Sequence, residues 1–159
     1  MPKIPITPLT TAGLRINPIK YQAIFFDFDG VLVESVDIKT EAFQTLYRDQ
    51  DAVTIQSIVE HHLAHEGISR VEKIEYFHRH HLDVELTQQE LAVLAAQYSE
   101  LVKDDVIACE SVPGSLEFLN STSGKLPIFV VSGTPEPELK DIIERRAMDG
   151  YFTSVHGSP

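Results

Sequence analysis

The run QAIFFDFDG at residues 22–30 constrains the fold more than any other stretch of this sequence. It is short, almost wholly apolar up to its aspartates, and stopped by Gly30. Such a run reads as a strand covered on both faces, which belongs to a parallel α/β sheet rather than a half-wet antiparallel one. Leu126–Val131 has the same character and ends at the polar turn Ser132-Gly133-Thr134, and Phe152–Val155 reads as a short third strand. Pro113-Gly114 punctuates the chain before an apolar helix over Ser115–Leu119. Thr134 ahead of Pro135 predicts an N-cap for a helix carrying Leu139, Ile142 and Ile143, with Gly150 as its C-terminal cap.

Between the first two strands the period changes to that of helices. Ala42, Phe43, Leu46 and Tyr47 recur at three- and four-residue spacing, as do Ile55, Ile58, Val59 and Leu63. Ser69 with Glu72, and Thr87 with Glu90, form the start signal in which each side chain caps the other's backbone. Four helices over residues 36–105 are therefore expected to make a small bundle. The economical architecture is α/β: a Rossmann-like parallel core over 21–35 and 106–159, interrupted after its first strand by a helical insertion at 36–105. The hinges fall near Glu34–Val36 and Asp105–Glu110, and residues 1–20 form an N-terminal extension.

Composition narrows the function. With 24 acidic against 13 basic side chains the net charge is −11. That argues against a nucleic-acid surface, which needs clustered Lys and Arg, and suits a site gathering carboxylates around a divalent cation. No apolar run reaches the roughly 20 residues of a membrane helix. The opening MPKIPITPLTTAGLRINP lacks the basic-then-apolar order of a secretory signal, and the single cysteine, Cys109, forms no intrachain disulfide. A cytoplasmic protein is expected.

Asp27 and Asp29 stand two residues apart at the end of the first strand, so both point to one side, where open α/β sheets bind ligands. Two carboxylates in one crevice repel unless a cation neutralises them or one stays protonated. The pair suits Mg²⁺ ligation or a division into nucleophile and acid/base; the alternative is an ordinary polar strand end. His61 and His65 have the i, i+4 spacing of zinc ligands, but no third ligand is evident and a solvated helix face is the simpler reading.

AIFFDFDGVLVES resembles the first motif of the haloacid dehalogenase superfamily, and VVSGTP at 130–135 resembles the second. The helical stretch between them matches the cap that some members insert after motif one, and PGSLEFL resembles the helix preceding the second-motif strand. The resemblance is closest to helical-capped members of the phosphoglycolate-phosphatase and beta-phosphoglucomutase kind. It implies that Asp27 is the nucleophile that takes the phosphoryl group and that Asp29 is the general acid and base. It implies that Ser132 and the Gly133 N–H hold a phosphoryl oxygen. Mg²⁺ would be bound by the Asp27 carboxylate and the Asp29 backbone carbonyl. The second aspartate favours a phosphatase or mutase acting on a small phosphorylated metabolite over a dehalogenase. Arg70, in the loop Gly67-Ile68-Ser69-Arg70 of the cap, is expected to contact an anionic substrate or to lie exposed in a first helical turn.

The family's third-motif lysine and fourth-motif acidic pair have no counterpart before Pro159, and Lys125 and Lys140 are misplaced to substitute. A truncated member is therefore expected. It would have little cationic compensation at Asp27 and Asp29, weak Mg²⁺ binding, near-background turnover, and an uncovered apolar sheet face prone to self-association.

Overall fold

Three parallel strands carry the α/β character that the apolar runs predict. A computed structural model describes residues 21–159, so the expected N-terminal extension lies outside the described residues. Strand β1 (Ile24–Phe26) pairs with β2 (Ile128–Pro135), Ile24 lying opposite Ile128, and β2 pairs with β3 (Ser154–Ser158), Phe129 lying opposite Ser154. The order β1-β2-β3 is that of a Rossmann-like sheet built outward from its first strand.

One face of the sheet is packed. Ile128 and Val130 point into a core shared with Leu119 of α5 (Ser115–Thr122) and with Leu139, Ile142 and Ile143 of α6 (Glu136–Arg145). Phe26 meets Phe118 of α5 edge to face at 5.7 Å between ring centroids. The other face departs from the expectation of strands covered on both sides. Phe25 is 68% exposed, Val131 is 51% exposed, and Phe25 stacks on Phe129 at 4.9 Å. Among the described residues no element covers this face, so the strands bury only half of what their composition offers.

Helices α1 (Val36–Leu46), α2 (Ala52–Ala64), α3 (Arg70–His81) and α4 (Gln88–Ala108) pack on one another as the periodicity predicts. Phe43, Ile58, Phe77 and Tyr98, one from each helix, are buried together. Ser69 and Thr87 cap α3 and α4, and Glu90 returns the bond to Thr87. Helix α4 runs past the expected boundary at 105 because Val102 and Val106, one turn apart, are both buried. Its end is clamped: Arg146 Nη1 donates to the carbonyls of Val106, Ile107 and Cys109 at 2.7–2.8 Å.

Two expected caps are not used. Helix α6 starts after Pro135, and Thr134 stays in β2 with its hydroxyl turned to Asp29 rather than to the helix. At the other end Gly150 lies in a short 3₁₀ turn, and Ala147 takes the left-handed conformation at φ 54°. The Met148 N–H bonds back to the Ile143 carbonyl at 3.0 Å while its side chain is buried. That closure satisfies the last carbonyls, and Met148's packing holds Ala147 where glycine is usual.

Candidate active site

Asp27 and Asp29 leave the C-terminal end of β1, with the buried Phe28 between them facing the opposite way and anchoring the turn. Gly30 then takes φ 68°, and its N–H reaches the Val33 carbonyl at 2.8 Å. A side chain there would be strained and would meet Val36 at 2.8 Å, so the turn that presents the aspartates needs glycine. Both aspartates line a cavity of about 210 Å³, walled on the strand side by Gly133 and Thr134 and on the helix side by Lys39, His62 and Lys73.

The two carboxylates have opposite surroundings. Asp29 Oδ2 pairs with Lys39 Nζ at 2.5 Å, and Ser35 Oγ donates to Oδ1 at 2.7 Å. Thr134 Oγ1 and Ser132 Oγ reach Oδ2 at 3.2 and 3.3 Å, and Lys39 also donates to Thr134 Oγ1 at 2.9 Å. Burial alone would raise the Asp29 carboxyl; the charge and hydrogen bond of Lys39, with the hydroxyls of Ser35 and Thr134, reverse that and hold it below the usual range. Asp27 accepts only the Phe28 N–H among these bonds, at 2.6 Å. Burial, offset in part by that N–H and reinforced by the charge of Asp29, raises its carboxyl. Paired acids pushed apart in this way can divide the work of an acid and a base.

Ser132 and Gly133 lie where the sequence predicts, at the end of β2. Ser132 Oγ accepts the Thr134 N–H at 3.1 Å and reaches toward Asp29. A Cβ on Gly133 would come within 3.2 Å of the Gly67 carbonyl, so the loop between α2 and α3 rests directly on this backbone. Arg70, at the start of α3, lies at the cavity wall, but its guanidinium makes a two-pronged bond to Glu138 of α6 at 2.6 and 2.8 Å. It also bonds Ser99 and lies over the Tyr98 ring. Its donors tie the helical bundle to α6.

Sequence reasoning missed Lys39 and Ser35. At Asp29 the expected shortage of cationic compensation is relieved by Lys39, which comes from the bundle rather than from the strand tips, while the Asp27 carboxyl stays raised. Ser35, Lys39 and the buried Phe43 repeat every four residues, so a lysine on the apolar stripe of α1 was the readable signal. Lys73 sits the same way on α3, four residues before the buried Phe77. The misplaced lysines are elsewhere: Lys140 pairs with Glu136, and Lys125 bonds the Ser121 carbonyl. His61 and His65 stack at 4.1 Å, and His65 Nδ1 meets the His61 carbonyl at 2.9 Å, a helix face rather than a ligand pair.

The hard oxygens of Asp27 and of the Asp29 backbone are the donors Mg²⁺ takes, and the raised Asp27 carboxyl is short of positive charge. Among the described residues no cluster of three ligating side chains completes a metal cage. The fit is to an ion that keeps waters and takes further oxygens from substrate.

A parallel sheet with an acid pair at its first strand end, a hydroxyl at its second, and helices over both defines an α/β protein with an acidic crevice at its strand ends. Residues 21–159 match the model of the haloacid dehalogenase-like hydrolases, and the chain belongs to that family. No curated protein matches it. Among solved structures it is similar to a predicted phosphoglycolate phosphatase from Haemophilus somnus, at 18% identity and TM-score 0.61, covering 87% of this chain and 63% of that one. A magnesium-bound HAD-hydrolase from Bacillus subtilis gives 14% identity and TM-score 0.60, with 87% and 65% covered. A protein assigned as a beta-phosphoglucomutase from Thermotoga maritima gives 18% and 0.56, with 86% and 61% covered. The chain thus spans less than two thirds of each of these structures. No described helix is long and apolar enough to cross a membrane.

Proposed function

We propose that this chain carries the phosphoryl-transfer site of a Mg²⁺-dependent phosphatase that acts on a small phosphorylated metabolite through an aspartyl phosphate. The observation that carries the reading is the meeting of Asp27, Asp29, Ser132 and Gly133 under one helical wall. Residues 36–105 are the cap of this reading, and 21–35 with 106–159 its core.

Asp27, facing the cavity, attacks phosphorus, and the ester P–O bond breaks as the new P–O bond forms. Asp29 passes a proton to the departing oxygen. Its ionised state beside Lys39 is the one required afterwards, when it takes a proton from the attacking water. The incoming phosphate's negative charge raises Asp29 toward taking up from solvent the proton it then passes on. Ser132 and the Gly133 N–H hold a phosphoryl oxygen. Mg²⁺, held by the Asp27 carboxylate and the Asp29 carbonyl, would neutralise charge on the transferring group. The loop at Gly67, resting on Gly133, excludes water once substrate is in place.

Likeness to the beta-phosphoglucomutase favours a second reading, a mutase in which a sugar hydroxyl replaces water. Release of inorganic phosphate from a panel of phosphomonoesters, with Mg²⁺ and with a chelator, tests both. Chelator-sensitive release supports the phosphatase, isomerised sugar phosphate without release supports the mutase, and neither product from any ester overturns the reading.

A further inference from the structure

Among the described residues, Lys73 is a buried cation that no carboxylate pairs with directly, although the charges of Glu66 and Asp29 reach it. It is 3% exposed, and among the described residues its ammonium hydrogen-bonds only to His62, at 2.9 Å to Nδ1 and 3.4 Å to the backbone carbonyl. Because the ammonium donates to Nδ1, the proton of this neutral imidazole sits on Nε2, and that buried nitrogen has no hydrogen-bond partner among the described residues. Lys73 and His62 line the same cavity as Asp27, on its helical wall. Burial, and then the charge of Lys39, lower the Lys73 ammonium to about 8, and Glu66 and Asp29 do not offset them. Burial pushes His62 down to about 4. A desolvated ammonium and an unmet N–H, side by side in a reactive cavity, lack an acceptor that carries negative charge. The other cations of this wall are already paired, Arg70 with Glu138 and Lys39 with Asp29.

We propose that Lys73 and His62 form a subsite for a second anionic group, a carboxylate or a second phosphate, on the part of the substrate that leaves from Asp27. The proposal rests on the phosphomonoester reading of the Asp27 site and narrows it to doubly anionic esters. Lys73 donates its free N–H and its charge, and His62 Nε2 donates a neutral hydrogen bond. Placing the cation on the helical wall makes ester selection independent of the residues that hold the transferring phosphoryl group.

The test is equilibrium titration of the Asp27→Asn protein in Mg²⁺ with ester pairs differing in one anionic group. The pairs are 3-phosphoglycerate against glycerol 3-phosphate, and glucose 1,6-bisphosphate against glucose 6-phosphate. The doubly anionic member of at least one pair is expected to bind roughly tenfold tighter or more. The pair that shows the preference identifies carboxylate or phosphate. Adding Lys73→Met is expected to cut that preference below about threefold. The ligand-free melting temperature of Lys73→Met should hold or rise, because a methionine in place of an unpaired buried ammonium relieves desolvation. Equal affinities within both pairs overturn the subsite and leave the phosphatase reading to its own phosphate-release assay. Binding of neither member of either pair overturns both. A preference that survives Lys73→Met, or a melting temperature lowered by more than about 5 °C, makes Lys73 a structural strut and overturns the proposal.

Discussion

Asp27 and Asp29 stand on one wall of the cavity; Lys39, Lys73 and His62 stand on the other. The first wall is built from strand ends and turns, where backbone geometry dictates which way a side chain points. The second is built from helix faces, where a side chain reaches the cavity only because the bundle packs at one angle. A chain with net charge −11 thus concentrates buried cations in the cleft that holds its aspartate pair. Burial makes these few charges count, since the same lysines on the surface would be screened by water.

The largest expected effect breaks the strand-end wall. Asp27→Asn should abolish whatever Mg²⁺-dependent phosphate release the parent chain shows, because an amide forms no phosphoenzyme; unchanged release would remove Asp27 as nucleophile. Next comes the tie between the walls. Arg70→Met leaves Glu138 buried and unpaired and should cost about 3–5 kcal/mol in urea unfolding. The double variant Arg70→Met, Glu138→Met should recover most of it, and equal losses in both would mean the pair is not the tie.

The next expected loss tests the helical wall alone. Lys39→Met removes the cation beside Asp29 and should lower kcat about 10²-fold with the fold intact by circular dichroism. An unchanged kcat would return all charge compensation to other groups. The smallest effect is acid sensitivity. His62 is held neutral by burial and by Lys73, so its folded value of about 4 lies below the unfolded value of 6.5. Its contribution is therefore intact above pH 6.5 and is lost as pH falls toward 4. His62→Gln should flatten unfolding free energy over that window by about 2 kcal/mol, and an unaltered slope would place the acid sensitivity elsewhere.

The same contrast explains what was legible in the sequence. Asp27, Asp29, Gly30, Ser132 and Gly133 lie within a few residues of strand ends, and alternation with turn chemistry locates them without any tertiary knowledge. The helices at 36–105 were legible because period and caps are local. Lys39 and Lys73 were not assigned, since meeting Asp29 across ten residues or His62 across eleven depends on packing. Their position on apolar stripes was visible and left unread. Arg70 was legible as a cavity residue, but its partner is sixty-eight residues away, and only the fold reveals that its donors are taken. Thr134 misled for the opposite reason: its local cap signal was real, and a long-range demand from Asp29 outbid it.

The clamp at the end of α4 has a mechanical consequence. With Arg146 gripping three carbonyls of the last turn at one end, the 21-residue helix resembles a lever with its fulcrum there. At roughly 1.5 Å per residue it reaches about 30 Å, with Tyr98 near its midpoint. A swing of about 10° about that fulcrum carries the far tip at Thr87 through about 5 Å but displaces Tyr98 by only half as much, about 2.5 Å. Tyr98 donates its hydroxyl to the Lys39 carbonyl at 3.1 Å, so any such swing would be passed, reduced, to the helix that holds Lys39. Coarse travel at the periphery thereby becomes fine adjustment of a single ammonium against Asp29.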